Sequence, residues 1–238
     1  MKLRQAQRYQ QAVTWLESTN GYGPDTDIDD NISWWEKWDD SLFGIKTSDI
    51  GLHDLEVSDL SPLAGLKNVR NLFITNSPVR DLSPVAALTR LELLYLQDVP
   101  VSDLSPLAGS ERLKHLSLHG TAVSDLSPVS ELDDLRSLAI DGAPLRDLAP
   151  LATLRKLEYL DLFDVEVTDL SPLLRITSLR QLRLTGIPVD NLRPLGEMDN
   201  LEAIHVSDVP VGERQIEWLR QRLPNCQIRH RPLEDRSE

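Results

Sequence analysis

Apolar residues recur along most of the chain at one fixed spacing. Each unit carries the pattern L-x-x-L-x-L, in which the last two leucines alternate with other residues as in a strand that buries one face. A constant period of this length predicts one continuous solenoid, because a single unit is too small to bury its own leucines. The apolar residue that marks the same point of each unit recurs every 22 residues, at Val57, Val79, Val101, Val123, Leu145, Val167, Val189 and Val211.

The second half of each unit carries signals for the start of a helix. The segment D-L-S-P-L, as in 103–107, places proline at the first helical position, where its missing N–H would have had no partner. We expect Ser105 to cap the other free N–H groups. The preceding aspartate is expected to bond to the local backbone and not to ligate calcium or act as a catalytic acid. This aspartate recurs at Asp59, Asp81, Asp103, Asp125, Asp147 and Asp169.

From about Ile50 to Ile228 these motifs resemble the leucine-rich repeats of bacterial proteins of the 22-residue, internalin-like class. The resemblance implies an α/β fold: a right-handed solenoid with a parallel β-sheet on its concave face, short 3₁₀ or α turns on its convex face and helical caps at both ends. It also implies binding of a protein. The chain departs from the family where an asparagine usually follows the strand, and we expect an altered turn there. That position holds Ser77, Val99, Thr121, Ala143, Val165, Ile187 and Val209.

Both ends of an open solenoid need a cap. We predict a helical N-terminal cap over residues 1–46, repeats over 47–210, a C-terminal capping repeat over 211–230 and a charged tail over 231–238. The tryptophans of the first cap are expected to cover the first strand. In the last repeat an amphipathic helix replaces the Ser-Pro turn, and we expect three residues to keep the core positions of the strand: Leu223, Cys226 and Ile228.

The residues between the leucines of each strand are predicted to face outward on the concave sheet. Aromatic side chains concentrate at these positions, and exposed aromatics are typical of protein interfaces. Between them, Ser117, Ser137 and Ala139 predict a hollow bounded by aromatic walls. The alternative is that these aromatics are scattered surface residues without a function. The predicted binding surface comprises Phe73, Leu93, Tyr95, His115, His119, Asp141, Tyr159, Asp161, Phe163, Arg183 and His205.

The net charge of −13 and the pI near 4.8 argue against nucleic acid as a partner, since phosphate binding depends on clustered Lys and Arg. A protein partner with a basic or amphipathic surface is favoured. Four aspartates that recur along one edge of the sheet add negative charge and favour a partner that presents Lys or Arg: Asp54, Asp98, Asp164 and Asp208.

No apolar run approaches the roughly 18 residues of a membrane span, and the first residues do not follow the pattern of a cleaved leader. The single cysteine, Cys226, requires no oxidising compartment. We therefore expect a cytoplasmic monomer that acts as an inhibitor, immunity factor or adaptor, with no membrane contact. Export as an effector without a cleaved signal is the alternative.

No enzymatic motif accompanies the histidines of the predicted surface. His115 and His119 lie four residues apart on one strand, roughly 13 Å, which is too far for a shared zinc ion. His119 is expected beside Asp141 of the next strand, but the sequence has no phosphate loop, H-E-x-x-H or G-x-S-x-G. We predict that the protein is not an enzyme and needs no cofactor other than the calcium considered next.

A competing hypothesis is a calcium-responsive structural module. The segment 25–36 resembles the loop of an EF-hand, although Asp30 stands where glycine makes the sharp turn. Acidic residues before a helix are also ordinary capping residues. The candidate calcium ligands are Asp25, Asp27, Asp29, Asn31 and Glu36.

Calorimetric titration tests this loop. If the calcium hypothesis holds, millimolar calcium will release heat and raise the midpoint of thermal unfolding, and Glu36→Gln will abolish both effects because the bidentate ligand is lost. An absence of heat and of any thermal shift would end the hypothesis.

Overall fold

The computed structural model describes residues 48–54, 56 and 58–233. These residues form nine strands that pair in chain order into one parallel sheet, as the repeat predicted. From the first strand to the eighth, each residue pairs with its counterpart 22 positions later. The strands are β1 (Asp49–His53), β2 (Asn71–Thr75), β3 (Leu93–Gln97), β4 (His115–His119), β5 (Ser137–Asp141), β6 (Tyr159–Phe163), β7 (Gln181–Thr185), β8 (Ala203–Ser207) and β9 (Gln227–Arg231).

Short 3₁₀ helices connect the strands, and one α-helix, α1 (Glu213–Arg222), connects β8 to β9. A proline near the start of each 3₁₀ helix sets φ near the helical value. None of the helices in the described ranges is long and apolar enough to cross a membrane. The 3₁₀ helices span Ser61–Gly65, Ser83–Ala87, Ser105–Leu107, Ser127–Glu131, Ala149–Thr153, Ser171–Arg175 and Arg193–Glu197.

The aspartate two residues before each of the first six 3₁₀ helices accepts a hydrogen bond from the first N–H of that helix, and Asn191 accepts the corresponding bond from Arg193 before the seventh. The Ser105 N–H donates to Asp103 Oδ1 and the Ser105 hydroxyl donates to Asp103 Oδ2, both at 2.8 Å. The predicted bond to local backbone is confirmed, but the expected cap by Ser105 is wrong, since Asp103 supplies the acceptor. At Asp125 and Asp169 the hydrogen bond from the serine hydroxyl lowers the pKa of the carboxyl, which therefore stays an ionised acceptor.

The residue directly after each of the first eight strands has a positive φ and turns the chain away from the sheet. This left-handed conformation is disfavoured for most L residues and is most accessible to Gly, Asn and Asp. The N–H of this residue donates to the last carbonyl of the next strand, as from Asp98 to His119 at 2.9 Å. The residues at this turn are Asp54, Asn76, Asp98, Gly120, Gly142, Asp164, Gly186 and Asp208.

Adjacent repeats never place two aspartates at this turn. The neighbour of Asp54 is Asn76, whose amide donates to Asp54 Oδ1 at 2.8 Å. A Cβ on Gly120 would lie 2.5 Å from Asp98 Oδ1, so glycine leaves room for the carboxylate of the preceding repeat. The four aspartates that the sequence predicted to attract a basic partner therefore have a structural role, because they adopt the left-handed backbone conformation of the turn.

The leucines form one continuous core between the sheet and the 3₁₀ helices, from Ile50 to Leu223. The altered turn position, where the family usually has asparagine, is buried in each described repeat, as at Val99, and its apolar members extend the core. Ser110, which stands where the other repeats have Leu, Ile or Met, is also buried, and the 3₁₀ helix before it ends early, at Leu107.

The last strand is shifted from the period of 22. His205 pairs with Arg229, an offset of 24 residues, because α1 is longer than the 3₁₀ turn that it replaces. The expected phase of Leu223, Cys226 and Ile228 is therefore wrong: Ile228 and His230 face the core from β9, whereas Cys226 precedes the strand. Burial raises the pKa of Cys226 to about 11. His230 Nδ1 lies 3.2 Å from Glu213 Oε2 of α1.

The residues directly before the strands form ion pairs between repeats. Arg70 contacts Glu92 at 3.0 Å, and Glu92 contacts Lys114 at 2.7 Å. The hydrogen bond from Lys114 lowers the pKa of Glu92. Arg136 contacts Glu158 at 3.3 Å in the same way. These charges are paired within the chain, and their exposure makes each pair weakly stabilising.

Two glycines allow a matched test of the left-handed turn. Gly142 and Gly186 have φ of 62° and 63°, but only at Gly186 would a Cβ collide with Asp164 Oδ1. We expect Gly142→Ala to lower the free energy of unfolding by about 1–2 kcal/mol, the usual cost of this conformation, and Gly186→Ala to lower it further.

Urea unfolding followed by circular dichroism measures both losses. In an Asp164→Gly background the extra loss at Gly186→Ala should disappear. Equal losses in the two single variants would show that the Asp164 carboxylate does not constrain the turn.

Candidate functional site

The side chains whose type the repeat does not fix lie in three rows on the concave face of the sheet. Along each strand the second and fourth residues enter the core, and the first, third and fifth point outward. With one residue on each strand, the first row therefore extends from Asp49 to Gln227, the middle row from Gly51 to Arg229, and the last row from His53 to Arg231.

Aromatic rings pack against one another in the N-terminal half of this face. The Tyr95 ring lies 6.1 Å from Phe73 and 5.5 Å from His119, measured between centroids, and its hydroxyl donates to Gln97 Oε1 at 2.6 Å. Tyr95 is therefore only 2% exposed, and Leu93 only 1%. The expectation that Leu93 and Tyr95 are exposed is wrong: both support the surface from below.

Small residues occupy the centre of the face. Ser117, Ser137 and Ala139 are all buried beside larger neighbours. Ser117, Ala139 and Asp161 are consecutive in the middle row, on β4, β5 and β6. Ser117 Oγ is buried and has no hydrogen-bond partner within the described part of the chain.

Asp161 is held from two sides. Tyr159 Oη donates to Asp161 Oδ2 at 3.0 Å, and Arg183 Nη1 donates to the same oxygen at 3.3 Å. Burial raises the pKa of Asp161 although Arg183 and Tyr159 act in the opposite direction, and burial together with the Asp161 charge raises the pKa of Tyr159. Asp161 Oδ1 is buried and finds no donor among the described residues. A buried acceptor that lacks a donor costs about 1–3 kcal/mol of stability.

Phe163 is the exposed aromatic of this face. It lies two residues after Asp161 on β6, and in the last row it stands between Asp141 and Thr185. Its exposed fraction is 39%, and it is one of four large apolar side chains in the described ranges that are exposed. β6 therefore carries an exposed aromatic ring two residues from a carboxylate oxygen that has no donor among the described residues.

The histidines have different environments. The predicted pair is present, with His119 Nδ1 at 3.3 Å from Asp141 Oδ2. Burial lowers the pKa of His115, and the cations Lys114 and Arg136 lower it further. Burial also lowers the pKa of His205 in the middle row. Both shifts favour the neutral imidazole.

Arg231 was not predicted on this face, and Arg229 was expected in the last row and not in the middle row. Arg229 stands beside His205 in the middle row, and Arg231 ends the last row. The period of 22 placed Gln227 beside His205 and Arg229 in the last row. The length of the amphipathic helix pattern before β9 was the signal that the last unit exceeds one period.

The candidate calcium loop, Asp25–Glu36, and the tryptophans of the predicted N-terminal cap lie outside the described residues. Within the ranges that are described, no three His, Cys, Asp or Glu side chains are grouped so that they could hold a metal ion.

Comparison with known proteins supports the repeat class. Internalin C2 of Listeria monocytogenes superposes with a TM-score of 0.70 at 26% identity, over 77% of this chain and 80% of the internalin. A second internalin of that organism, inlF, gives 0.66 at 26% identity over 76% of this chain and 54% of its own length. No protein-family profile matches the sequence, and a search of curated proteins finds no match. The resemblance to internalin-like leucine-rich repeats is confirmed.

The environment of Asp161 predicts an unusual dependence of stability on pH. Because its pKa is raised in the folded protein, its ionisation weakens folding, and this cost is present above the folded pKa and disappears as pH falls through it. We expect Asp161→Asn to match or exceed the wild type in urea unfolding at pH 8, and the difference to shrink toward pH 4.

Asp141→Asn serves as the control, since the Asp141 side chain on the same face is 38% exposed. Greater instability of Asp161→Asn at pH 8 than at pH 4 would show that the ion pair with Arg183 outweighs burial.

Proposed function

We propose that the protein is a non-enzymatic binding module that holds a partner protein against the concave face of its sheet. Its internalin neighbours support an interaction module in general terms. Leu93 and Tyr95 are buried and are proposed to support the contact residues without touching the partner. The residues proposed to touch the partner are Phe73, His115, His119, Asp141, Tyr159, Asp161, Phe163, Arg183 and His205.

The observation that carries this proposal is the combination of Phe163 and Asp161 on one strand. Phe163 exposes an apolar ring, and Asp161 keeps a buried oxygen without a donor among the described residues. A partner that covers the ring and donates a hydrogen bond to the oxygen removes both costs at once. Binding energy in interfaces concentrates at such aromatic and desolvated polar positions.

The partner is proposed to present a basic or amphipathic surface. A lysine or arginine is the donor that best suits an ionised Asp161 beside the small Ala139. Asp141 lies on the neighbouring strand, and Asp164 follows Phe163 at the turn. A net charge of −13 further raises the association rate of a cationic partner.

Binding is favoured over catalysis by the geometry of Ser117, His119 and Asp141. A hydrolytic triad needs the histidine to bond both the carboxylate and the nucleophile. His119 contacts Asp141, but Ser117 Oγ makes no hydrogen bond with any described residue. The serine is therefore not activated.

The proposed role is that of a cytoplasmic inhibitor, immunity factor or adaptor, or of an effector, acting as a monomer. Localisation by fluorescence microscopy and mass determination by light scattering test the compartment and the monomer directly.

A pair of variants on one repeat tests the face. Phe163 is 39% exposed on β6, and Leu174 is 38% exposed on the 3₁₀ helix Ser171–Arg175, on the opposite side. We expect Phe163→Ala to weaken partner binding about 30-fold, or about 2 kcal/mol, as for a central interface aromatic. Leu174→Ala should change binding less than twofold.

The measurement is affinity capture from lysate of the source organism, identification of captured proteins by mass spectrometry and calorimetric titration of the partner with each variant. Equal binding by Phe163→Ala and wild type, or an equal loss in Leu174→Ala, would move the interface away from the concave face.

A further inference from the structure

Positive charge collects at the C-terminal end of the concave face, although the chain as a whole is strongly acidic. The outward positions of β7, β8 and β9 include three arginines, Arg183, Arg229 and Arg231, and no carboxylate. The outward positions of the three preceding strands show the reverse, with Asp141 and Asp161 and no lysine or arginine. The face is electrically polarised along the solenoid.

Arg183, His205 and Arg229 are consecutive in the middle row. Neighbouring strands lie about 4.8 Å apart, so the two arginines are separated by roughly 10 Å across the histidine. On the side away from His205, Arg183 contacts Asp161 at 3.3 Å, and the Arg183 side chain is 31% exposed. A guanidinium has five N–H donors, so Arg183 retains donors for a second acceptor.

The surroundings of His205 also suit an anion. The other outward residues of β8 are Ala203 and Ser207, and the hydroxyl of Ser207 donates to Asp208 at the turn beyond the sheet. Burial and the two guanidiniums lower the pKa of His205. An anion placed between the arginines would offset the repulsion that disfavours protonation of His205.

We propose that this end of the face binds an acidic segment of the partner protein, with two carboxylates about 10 Å apart, one on Arg183 and one on Arg229. The inference rests on the proposed function and adds an orientation: the acidic part of the partner lies over β7–β9, and its cationic group lies over Asp161. Planar arginine forks suit carboxylates, because both oxygens accept at once. Three arginines in a chain of net charge −13 are a poor match for a nucleic acid.

A peptide probe tests the inference without knowledge of the partner. The full chain, labelled with nitrogen-15, is titrated with acetylated hexaglutamate, and hexaglutamine serves as the neutral control. We expect amide shifts confined to β7–β9 with hexaglutamate only. The Arg183→Gln/Arg229→Gln variant should bind at least tenfold more weakly.

A matched variant, Arg155→Gln/Arg175→Gln, removes the same charge from exposed positions off the strands and should bind like the wild type. Since Arg183→Gln also removes a partner of Asp161, Arg229→Gln alone is the second variant, and it should still weaken binding several-fold. No binding of hexaglutamate, shifts spread over the 3₁₀ helices, or an equal loss in the matched variant would overturn the inference. Stronger shifts at β7–β9 with a DNA oligonucleotide would overturn the choice of an acidic protein segment.

The two proposals fail separately. If Phe163→Ala abolishes capture of the partner while hexaglutamate does not bind, only the acidic-segment inference is overturned. If hexaglutamate binds at β7–β9 and Phe163→Ala has no effect on capture, the acidic-segment site stands and the aromatic centre proposed for the interface is overturned.

Discussion

The register between consecutive repeats is the constraint on which the rest of this structure depends. Each of the first seven strands bonds to its counterpart 22 residues later, and each left-handed turn donates its N–H to the next strand. Because the backbone of one unit is the hydrogen-bonding partner of the next, a unit changes length only outside the paired strand, as in the last unit, where α1 takes the place of the 3₁₀ turn. Stacked leucines then fill a core that no single unit encloses.

This constraint divides the side chains into two groups. Asp103 and its equivalents start the 3₁₀ helices, while Asp98 and its equivalents make the left-handed turns, so both sets are explained by local backbone geometry. The ion pairs before the strands, such as Arg70 with Glu92, satisfy one another. The residue types in the outward rows of the sheet are not fixed by the repeat, and they differ from one strand to the next.

Two outward residues of β6, Asp161 and Phe163, have environments that do not favour stability. Asp161 is largely buried with one oxygen unfilled, and Phe163 exposes its ring. Tyr159 and Arg183 nevertheless hold the carboxylate in one position, and Tyr95 packs firmly between Phe73 and His119. A rigid surface that carries a local cost is typical of a site shaped for binding, because the partner removes the cost and little ordering remains to be done.

The sequence by itself determined the solenoid, the parallel strands, the aspartate bonds at the helix starts and the location of the aromatic face. All of these follow from periodic patterns or from contacts between residues close in the chain. Only the tertiary structure decided that Leu93 and Tyr95 are buried, since their exposure depends on the side chains of neighbouring repeats. It also decided that β9 is shifted by two residues, which brings Arg229 beside His205. The tertiary structure also decided the pKa shift of Asp161, which depends on its burial and on its contact with Arg183. Such contacts join different residue types in adjacent repeats, so the period of the sequence does not predict them.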